Sequence, residues 1–578
     1  MITLSPRLLG RFALWENPLR APDRRHSFRN KTMGAWLGGA ILAATLSSCV
    51  ATPAGLDAPA ASQLEDRSLV TAVRRITETQ YRHAVSDAFG PGIKINARFE
   101  PDPRLDGLLA IGANEASVSA SGFQQYFAAA KDVASQALAK NNRDKTVGCA
   151  PTEPAVTDDA CASAFIARLG RILYRRSLTE QEIASRVELA RTGSDNAKDF
   201  YVGLNLALVS LMTSPEFLFR IERAVPGIDG TLQLDGYSRA SRISYLIWDS
   251  GPDEQLLAAA EDGRLATTAG LKTEIDRMIA SPRVEDGVRA FFADLLQLDL
   301  FETLNKDAAQ YPKFSQAVAN SAREQTLKVV VDLLATKNGD YRDIFTTRDT
   351  FINRSLGAIY RVPFVSNEDW ASYTFDESSG QSGVLTQVAF MSLFSHPGRS
   401  SPTKRGAALN EIFLCQTVPQ PPADVDLSAL NEDGKAGATT VRQRLEAHRT
   451  QPMCTGCHTL TDPAGLTLEQ FDGIGQRRLK ENGILIDVAV DFFGKPVNGA
   501  QGLGQTLRDD ERVPSCLVKR VWAYGQGRAV QGGELKLLAD QTKAFAEHGY
   551  RVPDLLGRIA LSEAFYAATP DPARAPAN

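Results

Sequence analysis

The sequence predicts a mainly α-helical protein with little β structure. Apolar residues recur at helical spacing through most of the chain, as they do over residues 69–88, 115–140 and 311–337. Thr77, followed three residues later by Gln80, has the spacing of a capping box at the start of a helix. We therefore expect several consecutive helical domains rather than a protein built on a large sheet.

Breaks in the helical pattern predict further elements. Residues 162–192 predict two helices that are separated near Thr179, which has capping-box spacing to a downstream glutamate. Residues 198–222 predict a long apolar helix that is interrupted at Pro215. Residues 481–500 predict a small β-hairpin, because they alternate in polarity and contain turn residues.

Length and composition bound the class of protein. With 578 residues the chain is long enough for several domains, and 43% apolar with 23% charged residues is ordinary for a globular protein. The formal net charge of −4 gives no global basic field, so we expect no nucleic-acid partner. The sequence also contains no phosphate-binding loop and no second Cys-x-x-Cys pair.

The N-terminus has the features of a targeting segment. Basic residues precede an apolar run at 35–46, which is too short to span a bilayer comfortably. Leu46-Ser-Ser-Cys49 resembles a bacterial lipoprotein signal, in which Cys49 is lipidated and anchors the mature chain to a membrane. The alternative is an ordinary secretory signal that is cut nearby. Residues 50–68 are small, polar and Pro-containing, which predicts a flexible tether.

The sequence Cys454-Thr-Gly-Cys457-His458 has the pattern of a covalent haem attachment site. Two thiols at this spacing reach the two vinyl groups of one haem, and His458 is placed to ligate its iron. The alternatives are a redox Cys-x-x-Cys and half of a zinc site. A zinc site needs about four ligands, and a thioredoxin-like motif lies in a βαβ unit, whereas these surroundings predict helices. We therefore expect one covalent haem c.

The second axial ligand of the iron is not given by a standard motif, because no methionine follows Met453. His396 is the first candidate, as a distal ligand or as an acid–base residue of the distal pocket. Its alternative role is a loop histidine bonded to backbone. Met391 is a second candidate ligand, although a methionine in an apolar stretch is commonly a core residue. His448 and His548 are weaker candidates, and an open coordination site is a further alternative.

Each charged residue near the haem motif has two possible roles. Arg405 and Arg478 are candidates for pairing with the haem propionates, because a guanidinium matches a carboxylate. The alternative for both is an ordinary surface charge. Asp462 is expected to cap a helix, because Pro463 follows it, or else to orient the ring of His458.

Four cysteines lie outside the lipoprotein signal and the haem motif. Cys149 and Cys161 flank a loop and form the obvious local disulfide, which leaves Cys415 and Cys516 as a long-range pair. The alternative is four buried free thiols. Disulfides indicate folding outside the reducing cytoplasm.

Motifs distributed along the chain are similar to those of one family. They are Arg74–Thr77, Tyr174–Thr179, Ser214–Glu222, Ser395–Pro397, Ser401–Gly406, Cys454–Arg478 and Tyr524–Arg528. In these motifs the chain resembles exported multi-domain c-type cytochromes common in planctomycetes and myxobacteria, which combine domains of unknown function (DUF1587, DUF1595, DUF1592, DUF1588 and DUF1585). The resemblance implies a haem protein outside the cytoplasm, with a cytochrome c-like haem domain near the C-terminus. It implies no substrate.

The sequence and the resemblance together predict the following domains. They are a lipoprotein signal (1–49), a tether (50–68), three helical domains (69–145, 146–226 and 227–375), a haem c-binding domain (376–480), a C-terminal helical domain (481–568) and a disordered tail (569–578). We expect a lipoprotein of the bacterial cell envelope, periplasmic or on the surface, with a redox role on an unidentified substrate. The alternatives are an electron-transfer or partner-binding module and an envelope scaffold without haem.

Overall fold

The computed structural model describes residues 69–226, 231–419, 440–449 and 452–568. The predicted signal with Cys49, the tether and the tail lie outside the described residues. The described residues form twenty-two α-helices and nine short strands. The mainly α fold class is therefore confirmed.

The N-terminal part contains eight helices and two strands. In chain order these are β1 Leu69–Arg75, α1 Glu78–Phe89, α2 Leu109–Gly112, α3 Ala120–Ala137, α4 Arg143–Val147, α5 Asp159–Tyr174, α6 Glu180–Ala197, α7 Phe200–Met212, α8 Pro215–Leu218 and β2 Phe219–Pro226. Thr77 and Thr179 each form the predicted capping box, at the starts of α1 and α6. These local predictions are confirmed because each depends on residues only three positions apart.

The middle part contains eight helices and three strands. These are β3 Leu232–Leu234, α9 Gly236–Ile247, α10 Glu254–Glu261, α11 Thr268–Ala280, α12 Val284–Leu295, α13 Gln316–Val331, β4 Asp349–Ile352, α14 Arg354–Tyr360, β5 Ala371–Thr374, α15 Val388–Leu393 and α16 Pro402–Phe413. The helix predicted over 311–337 is shorter than expected, because α13 begins only at Gln316, where Ser315 caps it, and passes into a π-helical turn at Asp332–Thr336.

The C-terminal part contains six helices and four strands. These are α17 Val441–Arg449, α18 Pro452–Leu466, β6 Lys480–Glu481, β7 Ile484–Leu485, β8 Ala489–Phe492, β9 Lys495–Asn498, α19 Gly499–Arg508, α20 Arg512–Gln526, α21 Leu535–Glu547 and α22 Val552–Leu561. Strands β8 and β9 form an antiparallel hairpin inside the range 481–500. The predicted hairpin is therefore confirmed.

One sequence prediction fails at β1 and β2. Residues 69–75 were expected to begin a helix, and residues 219–222 to end one, but the two segments pair as antiparallel strands. Arg74 lies opposite Arg220 in this pairing, and β3 adds a third strand beyond β2. The pairing is a tertiary contact between segments far apart in the chain, and it overrides the local helical pattern.

Two hydrophobic cores organise the described residues. The first core runs from Ile76 to Leu218 and is formed mainly by helices of the N-terminal part. The second core includes helices of the middle and C-terminal parts and reaches Tyr566. Leu108 and Ile111 belong to the second core, although they lie between α1 and α3 in the chain. The N-terminal part is therefore anchored to the rest of the protein by buried apolar contacts.

The structure contains disulfides between Cys149 and Cys161 and between Cys415 and Cys516, which are the pairs that the sequence favours. The two cysteines are 12 residues apart in the first disulfide and 101 residues apart in the second. Such bonds are typical of proteins that fold outside the reducing cytoplasm. Across the described ranges, none of the helices has the length and apolar character needed to cross a bilayer.

Candidate functional site

Helix α18 carries the complete Cys-x-x-Cys-His motif. Cys454, Cys457 and His458 are three and four residues apart, which places them on one face of the helix. Cys454 is buried, Cys457 is half-buried, and neither is part of a disulfide. Burial raises the pKa of the Cys457 thiol, and the charge of Asp462 adds to this shift. Two thiols and an imidazole thus share one surface.

Helix α18 does not end after His458 but continues through Pro463 to Leu466. Two glycines let the helix pack closely against α16. A Cβ atom at Gly406 would lie 1.7 Å from the carbonyl oxygen of Thr461, and one at Gly465 would lie 1.8 Å from that of Pro402. Both positions therefore require glycine for a close helix crossing.

The ring of His458 is fixed by a buried carboxylate. Its Nδ1 donates a hydrogen bond to Oδ2 of Asp462 over 2.9 Å, and Asp462 is fully buried. The other oxygen of Asp462 accepts a hydrogen bond from Oγ1 of Thr403 over 2.8 Å. The capping role that the sequence favoured for Asp462 is wrong, since the residue lies inside α18, and its alternative role of orienting the imidazole is the observed one. With Nδ1 bound in this way, Nε2 is the nitrogen that would ligate a metal ion.

Arg405 holds together the segment that follows α18. Its side chain is completely buried. The guanidinium donates hydrogen bonds to the carbonyl oxygens of Leu468, Phe471 and Asp472 and to the carboxylate of Glu469. Burial lowers the pKa of Arg405, against the opposing effect of Glu469. The Nη donors of Arg405 serve the protein's own acceptors, whereas its Nε has no partner among the described residues, so the predicted propionate contact stays a prediction.

Arg478 completes the same cluster. Its Nη2 lies 2.7 Å from Oε2 of Glu469 and 2.8 Å from the hydroxyl oxygen of Ser400. Glu469 therefore has two arginine partners although it is buried, and burial still raises the pKa of its carboxyl group. The Arg478 side chain is about one quarter exposed, so its predicted propionate contact stays a prediction.

The candidate distal residues lie in and near the loop between α15 and α16. Met391 is fully buried in the second core, which is the alternative role that the sequence allowed. His396 is half-buried, and its role as a ligand or acid–base residue stays a prediction. His548 faces Asp554 across 3.3 Å at the surface, and the side chain of His448 lies outside the described residues.

Sequence reasoning missed two residues near these groups. Thr403 orients Asp462, and a threonine at the second position of a helix gives no signal of that role. Lys306 is almost fully buried and donates a hydrogen bond from Nζ to the carbonyl oxygen of His396 over 3.1 Å. Burial, with the nearby charges of Arg405 and Lys404, lowers the pKa of Lys306 to about 7. Only the folded chain brings these groups together.

Five family models match the chain in succession, and each is described as a protein of unknown function. They are DUF1587 at residues 74–139, DUF1595 at 161–222, DUF1592 at 234–362, DUF1588 at 381–481 and DUF1585 at 493–565. The chain therefore contains these five domains in series. The resemblance inferred from the motifs is thereby confirmed.

The Cys-x-x-Cys-His site lies in the fourth of the five domains, DUF1588. DUF1588, which has the short name PSCyt3, covers α16, α18 and the cluster around Arg405. The short name hints at a cytochrome-like domain, while the family's description assigns no function. No curated protein and no solved structure matches the chain. In the described parts of the five-domain protein, no group of three or more His, Cys, Asp or Glu side chains is arranged to hold a metal ion.

Motif residues of separate domains also meet in the five-domain protein. Arg74 of the DUF1587 segment lies 3.0 Å from Glu222 of the DUF1595 segment, and Arg242 of the DUF1592 segment binds the same carboxylate. Arg74 also donates a hydrogen bond over 3.0 Å to the carbonyl oxygen of Gly525, in the DUF1585 segment. The family motifs at these positions therefore form a junction between domains.

Proposed function

We propose that this five-domain protein carries one haem c, attached through Cys454 and Cys457, with His458 as an axial ligand of the iron, and that it has a redox role outside the cytoplasm. One observation carries the proposal: a buried carboxylate orients the imidazole on the helix face that also presents two thiols outside any disulfide. This donor set fits a covalently held haem. The cytochrome-like name of the matching domain supports the same assignment.

A haem bound in this way supplies one-electron chemistry at its iron. The protein's own contribution begins with Asp462. Its carboxylate accepts the Nδ1–H of His458, which fixes the tautomer of the ring and makes it a stronger electron donor. Thr403 holds the carboxylate in place. Asp462 is therefore a positioning residue, and it favours the more positively charged oxidised state of the site.

The redox role that we favour is oxidation or reduction of an unidentified substrate. Four further domains accompany the haem domain, and an electron relay alone needs far fewer residues. The half-buried His396 is the first residue to test as an acid–base group or ligand. The alternative is an electron-transfer or partner-binding module, and a scaffold without haem is a further one.

Spectra separate these roles. The full chain is made in a host that attaches haem c, and its absorption is recorded oxidised, reduced, and reduced with carbon monoxide. A high-spin ferric form that binds carbon monoxide rapidly supports substrate chemistry at an open site. A low-spin spectrum indifferent to carbon monoxide supports electron transfer, because two protein ligands then occupy the iron. A protein without haem bands would leave the envelope scaffold without haem as the one remaining alternative.

Replacing both motif cysteines with serine is expected to abolish covalent haem completely. The serine hydroxyl does not form the thioether bond, so no haem stays on the chain after denaturation. The measurement is haem staining of denatured Cys454→Ser/Cys457→Ser protein. The matched control is Cys149→Ser/Cys161→Ser, which also removes two sulfur atoms and is expected to keep the stain. Haem retained by the motif variant would refute the proposed attachment.

Asp462→Asn is expected to keep the haem and to raise its midpoint potential. The neutral amide accepts the Nδ1–H bond less strongly, so His458 donates less electron density to the iron. A tenfold to hundredfold change in the equilibrium constant of reduction corresponds to about 60–120 mV, at 59 mV per tenfold. Thr403→Val is expected to shift the potential in the same direction by less. Redox titration measures both variants against Asp487→Asn, whose carboxylate is exposed. Equal potentials in all four proteins would contradict a positioning role for Asp462.

The location in the cell envelope is part of the same proposal. The sequence before Cys49 supports lipid attachment there, and the two disulfides support folding outside the cytoplasm. Cys49→Ser is expected to move the protein from the membrane fraction to the soluble fraction of lysed cells, whereas Cys457→Ser leaves its location unchanged. A Cys49→Ser protein that stays in the membrane fraction would exclude this anchor.

A further inference from the structure

A small cavity lies at the junction of four of the five domains, away from the candidate haem site. It is bounded by Arg74 of β1, Arg220 of β2, Tyr245 of α9 and Tyr524 of α20. Its volume is about 10 Å³, which is space for one group of about the size of a water molecule. Each of the four residues belongs to a different matched domain.

Three donors on residues that line this cavity have no hydrogen-bond partner among the described residues. They are Nε of Arg74, Nε of Arg220 and the hydroxyl group of Tyr245. The three residues are 3%, 7% and 1% exposed, so bulk solvent does not satisfy them. Buried donors without acceptors are costly and rare in native proteins. All three residues line the same cavity, which indicates an acceptor that belongs there.

The charges around the cavity also lack a partner. Glu222 is bound by Arg74 and Arg242 on its two oxygens. Asp249 is the other buried carboxylate of the junction, and the charge of Arg220 opposes the rise in its pKa that burial causes. The guanidinium groups of Arg74, Arg242 and Arg220 therefore share the two carboxylates. Neither carboxylate is paired with Arg220 alone. The guanidinium of Arg220 stacks on the ring of Tyr245 at 4.2 Å, which offsets the missing carboxylate partner only in part.

Two other arginines lie near the cavity, and neither reduces the positive excess. Arg75 also borders the cavity, but Asp102 binds it over 2.9 Å. Arg175 is buried nearby, and carbonyl oxygens accept its hydrogen bonds, so its charge adds to the positive excess. Burial lowers the pKa of Arg220 and lowers that of Arg74 to about 9, as expected where negative charge is deficient.

We propose that this junction binds one small monovalent anion of about the size of chloride, held by Arg220, Arg74 and Tyr245. The excess of positive charge favours an anion, and the volume excludes sulfate and phosphate. The anion accepts the hydrogen bonds that the three donors lack. Because it contacts residues of several domains at once, its binding stabilises their association in the folded chain.

Thermal unfolding of the full chain tests the proposal at constant ionic strength, with sodium chloride exchanged stepwise for sodium gluconate, whose anion is too large for the cavity. The unfolding temperature of the wild-type protein is expected to rise with chloride concentration, following binding at one site. Arg220→Met is expected to lose this dependence. Arg191→Met, which removes a surface guanidinium, is expected to keep it. A wild-type unfolding temperature independent of chloride would overturn the proposal.

Tyr245→Phe is the sharper variant, because it keeps the stacked ring and removes only the hydroxyl group. In gluconate it is expected to be as stable as the wild type or more stable, since it eliminates an unpaired buried donor. In chloride it is expected to bind the anion about tenfold more weakly. Unchanged chloride affinity in this variant would contradict the assigned contact.

Crystals soaked in sodium bromide provide the direct observation. An anomalous peak within hydrogen-bond distance of Arg220 and Tyr245 is expected, and its absence would refute the site. Sodium formate serves as a further arm of the unfolding experiment. A stabilisation by formate equal to that by chloride would overturn the assignment to a halide in favour of a carboxylate.

Discussion

Replacing Arg405 with methionine is expected to destabilise the protein by about 3–5 kcal/mol, the cost of breaking a buried ion pair from one side. The variant leaves Glu469 buried with Arg478 as its one remaining cation. It also removes the donors for three backbone carbonyl groups of residues 468–472. Arg405→Lys is expected to recover only part of the loss, because one ammonium group does not reproduce the guanidinium fork.

Denaturant unfolding of wild-type and variant proteins measures this effect, with equal m-values as the check that the same transition is compared. Arg477→Met is the matched control, because Arg477 lies in the same segment but contacts a backbone carbonyl at the exposed surface. It is expected to change the free energy of unfolding by less than about 0.5 kcal/mol. A similarly small change in Arg405→Met would show that the buried cluster does not hold this segment.

Removing the Cys415–Cys516 disulfide is expected to cost about 4.7 kcal/mol of folding free energy in the chain-entropy description. The bond closes a loop with a sequence separation of 101 residues, and that loop contains the whole of α18. Without the cross-link the unfolded chain gains the conformational freedom of this loop. The measurement is the free energy of unfolding of Cys415→Ala/Cys516→Ala.

The second disulfide supplies the comparison for that result. Cys149 and Cys161 are only 12 residues apart, so Cys149→Ala/Cys161→Ala is expected to lose about 3 kcal/mol. The order of the two losses is the test. A smaller loss from the long loop than from the short one would mean that native contacts around Cys516, rather than loop closure, determine the stability of this region.

The sequence was sufficient where structure depends on near neighbours. The capping boxes at Thr77 and Thr179 are formed as predicted, because every group involved lies within one helical turn. The strand β1 was mistaken for the start of a helix. Its residues become a strand only through pairing with β2, and no local pattern contains that information.

The candidate site shows the same division. The spacing of Cys454, Cys457 and His458 identified the thiols and the imidazole, since one helix presents all three. The contacts of Arg405 were not predicted, because its acceptors are mostly backbone carbonyls, which a sequence does not mark. Asp462 was assigned to a helix start, but α18 continues through Asp462 and Pro463.

The arrangement of the two cores has a consequence for biosynthesis. A chain that folds from its N-terminus can close the first core once Leu218 is available, but the second core needs Trp522 and Tyr566 near the end. Leu108 is among the first residues of that second core, so it stays uncovered until most of the remaining chain is available. Such delayed closure exposes apolar surface to aggregation. We therefore expect the folding chain to depend on chaperones until its last helices are available.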